Sequence, residues 1–503
     1  VTLTSFSFFV FLAVVLLAYY IARPLQKYIL FAASVFFYLQ VSAYDWKVMC
    51  GLMLGMTAVA YLGALGIEKS KGAVRGLILG LCVIAILATL FLLKYAFNLF
   101  SVFVALFHMQ ADISWLQFAA VIGISYYALS AMGYLVDVYW ANYEAEKNPV
   151  NVGLFVFFFP QLISGPFTRY SEMREQFDSK HALDYEHITH GMRRMAWGYF
   201  KKLVISERFG MVVSAVYTNY GNHSMVGIVG ATLCYAIQLY TDFSGCMDII
   251  MGCAELFGIT LPENFQAPFF SESIKEFWQR WHITLGTWFK DYFMYPIQKS
   301  KPIQSAGKAI KKVIGKKKGK RATFYLSMLL LWVLIGIWHG ATTYYFVASA
   351  GIPCILLILS DLCQPLFAKM IQVCHINTEC ASWHWFRRVR TVLLVCICWF
   401  VVCSGSMENA GLILRHMMAQ PWGYMSFVTF LETYGMTALD VLVMAMGVVL
   451  LFVTDKLIYE GTTVFAVMDR QNFVIRVAII YAELLTIMLL GMVGSSAFIY
   501  FQF

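Results

Sequence analysis

The sequence predicts an all-α polytopic membrane protein. Three observations carry that prediction: 60% of its 503 residues are hydrophobic, its mean hydropathy is +0.69, and apolar stretches of spanning length recur along it with only 13% charged residues in all. A water-soluble core does not need so much apolar surface, whereas a bilayer about 30 Å thick demands it in runs of about 20 residues.

Taken in order, the stretches long enough to cross lie at 4–22, 28–44, 49–66, 76–93, 114–138, 225–241, 322–338, 340–360, 391–405, 437–454 and 475–495. Shorter apolar pieces at 99–107, 151–163 and 203–216 suit re-entrant or tilted segments, and the expectation is about ten to fourteen membrane helices. No charged segment followed by a short apolar core and a small-residue cleavage site opens the chain, so the first stretch is expected to be a retained helix. From Ala322 to Ser360 only His339 can carry charge. One straight helix of that length would run roughly 58 Å at 1.5 Å per residue, so the stretch must break. Gly336 and Gly340 bracket His339 and permit a bend or a close backbone approach. Neither an internal repeat nor a low-complexity linker interrupts the sequence, and residues 1–503 are expected to form a single multipass domain.

Charge sets the expected orientation. The net charge is +9, and residues 297–321 hold Lys299, Lys301, Lys308, Lys311, Lys312, Lys316, Lys317, Lys318, Lys320 and Arg321 without one acid. A short loop this basic belongs on the cytoplasmic side; Arg23 with Lys27, and Lys69 with Lys71 and Arg75, share that side, which leaves the amino terminus outside. The lysines serve either as a topology anchor or as an attraction for anionic membrane lipid or an acidic carrier protein. Nucleic acid is not an expected partner. Of the twelve cysteines, Cys50, Cys82, Cys234, Cys354, Cys396, Cys398 and Cys403 lie in apolar runs and none forms a CxxC pair. They read as small buried hydrophobes, not as a metal centre.

Two histidines stand in hydrophobic, tryptophan-flanked settings: His282 in Phe277-Trp278-Gln279-Arg280-Trp281-His282, and His339 in Gly336-Ile337-Trp338-His339-Gly340. An imidazole in or near a bilayer is costly unless it is partnered or functional, so each is either a core histidine bonded to a carbonyl or a site of chemistry. Around the first, Ile274, Phe277, Trp278, Trp281, His282, Leu285, Trp288, Phe289 and Tyr292 recur at spacings of three and four. That period predicts one amphipathic helix over 271–292, opened by a capping box of Ser273 and Glu276.

Longer motifs carry a resemblance. Phe158-Phe159-Pro160-Gln161-Leu162-Ile163-Ser164-Gly165-Pro166-Phe167-Thr168-Arg169-Tyr170, then Tyr240-Thr241-Asp242-Phe243-Ser244-Gly245, Pro262-Glu263-Asn264-Phe265-Gln266-Ala267-Pro268, the 273–285 segment, and Trp338-His339-Gly340-Ala341-Thr342 follow one another in the order found in the membrane-bound O-acyltransferase (MBOAT) family. The end, Phe498-Ile499-Tyr500-Phe501-Gln502-Phe503, also resembles the bacterial members. Within the family the pattern is most similar to the alginate O-acetyltransferase membrane subunits (AlgI-like), then to the DltB-type proteins that move D-alanine toward teichoic acid. It departs from the first group after Asp291-Tyr292, where Tyr295-Pro296-Ile297-Gln298-Lys299 leads into the lysine-rich run in place of a Pro-Leu-Gly-Gly turn.

The resemblance implies a ring of tilted helices around a thin centre, crossed by a tunnel that joins a cytoplasmic thioester donor to a hydroxyl acceptor. His339 matches the invariant histidine of that tunnel, where a base that takes the hydroxyl proton contributes roughly 10²–10⁴-fold. His282 matches a second polar position near the cytoplasmic mouth and would orient the donor or polarise its carbonyl. Trp338, Trp281, Trp278 and Arg280 are candidate substrate or tunnel residues. Asp242 and Asp291 are either buried hydrogen-bonding residues or entrance residues, and Gly165 and Pro166 shape a turn. No bound cofactor and no metal is expected; the donor would be acetyl-CoA or an acyl-phosphopantetheinyl carrier protein. The implied partner is an extracytoplasmic SGNH-like transferase or a small single-helix protein that accepts the acyl group. The expected product is an O-acylated, most simply O-acetylated, cell-envelope or exported polysaccharide made at the cell membrane. The alternatives are D-alanyl transfer toward teichoic acid and a non-catalytic transporter or channel.

Overall fold

Helix follows helix along the whole described chain. The computed structural model describes residues 2–41, 46–107, 109, 123–340, 342–423, 425–493, 498 and 499. Among them seven helices are long and apolar enough to cross a bilayer, or eight if one sharply bent pair counts as a span. That is fewer than the composition suggests, because several apolar stretches fold into pieces too short to cross. The helices α1 (Phe6–Ile21) and α2 (Gln26–Val41) have 16 residues each, about 24 Å at 1.5 Å per residue, and they meet at a 111° bend. Pro24, at the start of the turn Arg23–Leu25, cannot donate a helical hydrogen bond and holds the break. Residues 114–122 of another expected span lie outside the described residues, as do Ala341 and the end of the chain beyond Ile499.

The chain divides into two compact units. The first comprises Val1–Tyr199, Gly245–Pro262 and Ala497–Phe503. It contains α1, α2, α3 (Trp46–Lys69), α4 (Gly72–Leu90), α5 (Ile124–Tyr139) and α6 (Tyr185–Tyr199), around a core of large aromatic side chains that includes Tyr19, Tyr38, Tyr127, Tyr134, Phe157 and Phe158. The expected short segment 151–163 is a helix, Pro149–Phe157, followed by a tight turn. Gly165 is required there, since a Cβ on it would fall 2.4 Å from Gln161 Cα, and the Gln161 side-chain amide donates to the Pro166 carbonyl at 2.7 Å. Gly165 and Pro166 thus shape a turn of the first unit.

The second unit comprises Phe200–Ser244 and Glu263–Ser496. Its first segment is a π-helical turn, Phe200–Ser206, which leaves two successive lysines, Lys201 and Lys202, both buried. Next comes the long helix α7 (Met225–Glu255), which belongs to this unit as far as Ser244. Asp242 on α7 is fully buried and paired with Lys202 at 2.6 Å; Lys202 also meets Glu207 at 2.7 Å, while Lys201 donates to Ser244 Oγ at 2.9 Å.

The expected helix 271–292 is broken. It forms α8 (Ile274–Arg280) and α9 (Ile283–Phe289), separated by Trp281 in extended backbone and His282 in left-handed backbone (φ 48°). The apolar period runs straight through the break, so local sequence does not reveal it; a distant segment imposes it. Phe265 bridges Trp281 in antiparallel fashion, Gln266 N–H donates to the Arg280 carbonyl at 3.1 Å, and Ile283 N–H donates to the Asn264 carbonyl at 3.0 Å. Ser273 caps α8 by accepting from Glu276 N–H, while the Glu276 carboxylate accepts from Glu272 N–H instead of closing the expected box on Ser273.

The lysine-rich run is helical as well, and not a loop. Helix α10 (Lys301–Ile314) turns at Gly315 (φ 83°) into α11 (Lys316–His339). The two pack closely at glycines: a Cβ on Gly319 would lie 2.6 Å from Lys311 Cγ, and one on Gly307 would lie 2.9 Å from Thr323. The break expected within 322–360 falls after His339, and the chain resumes at Thr343 to run to the end of α12 (Ile352–Leu362). Gly336 permits it, because a Cβ there would stand 2.6 Å from Ala350 Cβ; Gly340 is in extended backbone. Arg321 pairs with Asp361 at 2.7 Å, which places the start of α11 and the end of α12 together. Helices α13 (Ala381–Cys403), α14 (Ala438–Tyr459) and α15 (Phe473–Leu490) complete the unit. The apolar part of α13 is preceded by Arg387, Arg388 and Arg390, so the helix is less uniformly apolar than the stretch 391–405 suggests.

Candidate active site

Aromatic contacts join the 274–282 segment to α11. Trp278 faces Trp332 with ring centroids 5.5 Å apart, and His282 faces Trp338 at 6.2 Å. Trp338 in turn contacts the ring of its neighbour His339 at 4.9 Å. One buried indole thus contacts both histidines, which the sequence separates by more than fifty positions. His339 is the last residue of α11 and is half-buried, at the break between two membrane segments.

His282 is only 4% exposed, and its ring is held on several sides. Phe243 of α7 packs edge-on against it at 4.8 Å, and Nδ1 lies 3.1 Å from Asn264 Oδ1. The same oxygen accepts from Thr284 N–H at 3.1 Å and from Thr284 Oγ1 at 2.9 Å. A backbone N–H can only donate, so the amide atom facing it is the oxygen, and the imidazole nitrogen on that oxygen carries the proton. Nε2 then holds the lone pair and acts as an acceptor. Burial first, and the neighbouring His339 second, hold the His282 pKa well below the ordinary histidine value. The ring is therefore neutral at physiological pH, and its left-handed backbone is the kind of strain that recurs at functional sites.

A stability consequence follows. Because the folded-state pKa of His282 lies below the unfolded value of about 6.5, the unfolded chain binds the extra proton first as the pH falls. The stabilisation is complete above that value and is lost as the pH drops through it toward the folded value. Thermal unfolding should therefore shift to lower temperature between about pH 7 and pH 5, and the shift should shrink in His282→Asn, whose side chain tolerates left-handed backbone but does not titrate.

Asn264, which the sequence presents only as part of a longer motif, is the residue that sets the tautomer. In Asn264→Ala three donors lose their acceptor; each buried donor so orphaned costs about 1–3 kcal/mol, and the freed ring should lower turnover about tenfold. Asn264→Asp keeps an acceptor and should retain more of both. Paired measurements of Tm and turnover on the two variants check this.

The other candidates take differing roles. Trp281 is buried among Phe265 (5.1 Å), Phe277 (5.6 Å) and Trp399 (5.6 Å) and holds the break in place. Trp278 lines the contact of α8 with α11, and its indole N–H finds no acceptor among the described residues. Arg280 pairs with Glu276 at 2.9 Å and donates to the Gln266 carbonyl at 3.1 Å, so it braces the break from the other side. Asp242 is fully buried and paired with Lys202, one position before Phe243, which packs against His282. Asp291 lies half-buried in the π-helical turn Lys290–Met294 that follows α9. Among the described residues no three His, Cys, Asp or Glu side chains converge as a metal site requires.

Comparison with known proteins places the chain in a family. Residues 145–308 match the model of the membrane-bound O-acyltransferase family; the segment includes His282 and ends before His339. A Pseudomonas syringae pv. tomato protein named "Probable alginate O-acetylase AlgI" is 31% identical over 413 residues, covering 80% of this chain and 72% of the relative. The peptidoglycan O-acetyltransferase of Helicobacter pylori is 31% identical over 374 residues, 67% of this chain and 66% of the relative. The teichoic acid D-alanyltransferase of Bacillus subtilis is 25% identical over 311 residues, 59% of this chain and 70% of the relative. With seven helices of spanning length and composition among the described residues, and these likenesses, the chain is an integral multipass membrane protein, and it belongs to the membrane-bound O-acyltransferase family as an O-acyltransferase.

Proposed function

We propose that the protein moves an acyl group, in the first instance acetyl, from a cytoplasmic thioester across the cell membrane for O-acylation of a cell-envelope or exported polysaccharide. The observation that carries this reading is the convergence of His282 and His339 on one buried indole, with His282 locked as a neutral acceptor. His339 is the general base. As the acceptor oxygen attacks the thioester carbonyl carbon, its proton passes to the His339 imidazole; the C–S bond breaks, and the departing sulfur takes that proton, leaving an ester and a free thiol. Proton removal of this kind supplies roughly 10²–10⁴-fold.

His282 orients substrate instead of polarising the carbonyl. Polarisation needs a donor at Nε2, hence an imidazolium, and burial beside His339 opposes that charge. As an acceptor, Nε2 can hold an amide N–H of the donor arm or a hydroxyl of the acceptor. The lysine-rich α10–α11 hairpin sits on the cytoplasmic side by the positive-inside rule, the amino terminus lies outside, and a tunnel joins the two faces. The donor is acetyl-CoA or an acyl-phosphopantetheinyl carrier protein. An extracytoplasmic SGNH-like transferase or a single-helix acyl-accepting protein completes delivery.

A second reading is D-alanyl transfer toward teichoic acid, favoured by the likeness to the Bacillus subtilis D-alanyltransferase; family membership removes the non-catalytic transporter or channel. Membranes containing the protein, supplied in turn with labelled acetyl-CoA and with D-alanyl-loaded carrier protein, decide between the first two. Label entering ester linkage from acetyl-CoA supports the first, label from the carrier alone supports the second, and label from neither contradicts both.

A further inference from the structure

Four arginines gather where α8 and the residue Glu272 before it meet the start of α13. Glu272 accepts Arg387 at 2.8 Å and His384 at 2.7 Å, with Arg388 at 3.8 Å, and its backbone carbonyl accepts from Arg390 at 2.9 Å. Arg280, paired with Glu276, lies over the ring of Tyr459 at 4.9 Å, and Arg388 lies near the same ring at 5.1 Å as well as near Trp385 at 4.9 Å and Phe270 at 5.2 Å. Four guanidinium groups thus face two carboxylates, an excess of two positive charges before His384 is counted. The Nε donors of Arg388 and Arg390 are buried and find no acceptor among the described residues.

Such an arrangement is costly without an anion, since like charges held together and buried donors without acceptors both destabilise the fold. The aromatic frame holds the Arg388 plane in place, and planar guanidinium forks match phosphate oxygens in a bidentate way. Arg280 stands two residues from His282, and the cluster shares α8 with the candidate active site. We infer that Arg387, Arg388 and Arg390 form a phosphate-binding site beside the acyl-transfer site, for a phosphate monoester or diester group. Two molecules can bring that group: the phosphopantetheine-bearing thioester donor, in which case the inference rests on the donor proposed above, or an anionic phospholipid.

The test is equilibrium binding to the purified full-length chain in nanodiscs of phosphatidylcholine, with a His339→Ala background so that no turnover intervenes. Coenzyme A should bind, and Arg388→Gln or Arg390→Gln should weaken it about tenfold or more, the order expected for losing charge-assisted hydrogen bonds. Pantetheine, which lacks phosphate, should be indifferent to both substitutions. If coenzyme A is indifferent but phosphatidylglycerol raises Tm in the parent and not in the arginine variants, the site stands and its phosphate is a lipid's. Arg390→Lys keeps the charge but loses the fork, and it serves where the Gln variants do not fold. Folded variants that bind coenzyme A and respond to phosphatidylglycerol as the parent does would overturn the site. Acyl transfer that persists with the site overturned leaves the proposed function standing, and phosphate binding without acyl transfer from any thioester leaves the site standing alone.

Discussion

His339→Ala should lose roughly 10²–10⁴ of the acyl-transfer rate while keeping its fold. The side chain lies at the end of α11, where the chain breaks between two membrane segments, and its ring contacts that of its neighbour Trp338. Truncation therefore removes the proposed base from a half-buried position, and Tm should move little. His339→Gln keeps polarity and approximate size but cannot take a proton at neutral pH, so it should be as inactive as the alanine variant. His282→Asn should be impaired less, because an acceptor that orients substrate is only one of several contacts. Single-turnover rates for the three variants, measured alongside their thermal unfolding, check the order.

The largest loss of stability is expected at Lys202. Its ammonium, 1% exposed, lies between Asp242 at 2.6 Å and Glu207 at 2.7 Å. Lys202→Met fills a similar volume but removes the cation that both buried carboxylates share. Removing one partner of a buried ion pair costs about 3–5 kcal/mol, and here two acids lose the same partner. The substitution should also reach the site, since Asp242 stands one position before Phe243, which packs against His282. Asp242→Asn should cost less, because Glu207 still holds the lysine. Yield of folded protein and Tm for the two variants should rank in that order; equal stability of Lys202→Met and the parent would contradict the structural role given to this pair.

Much of the site is legible in the sequence where a residue is out of character with its surroundings. His282 and His339 each interrupt an apolar, tryptophan-rich run, and both converge on Trp338. Gly336 announces the break before Thr343 because only a residue without Cβ lets Ala350 so close. Asp242, an acid within an apolar helix, demands a cation, though nothing local says that the cation is Lys202, forty positions earlier. What stays hidden is set by distant pairing. The period of three and four continues across Trp281 and His282, so the broken helix reads as continuous until Asn264, Phe265 and Gln266 pair with it. The lysine-rich run reads as a loop because of its charge, yet Gly307 and Gly319 are where two helices pack against each other. Arg387, Arg388 and Arg390 lie just outside the apolar stretch 391–405 and take on meaning only when Glu272 folds beside them.

The most direct test is chemical analysis of the envelope. In the bacterium that carries this protein, the native gene is replaced by the His339→Ala form, and ester-linked groups are released from purified envelope polymers with mild alkali and identified by mass spectrometry. The proposed function predicts that ester-linked acetate disappears from a polysaccharide while the variant still accumulates in the membrane. Unchanged acetate and unchanged D-alanine, with the variant present at normal level, would contradict the assignment of His339 as the base of an acyl transfer.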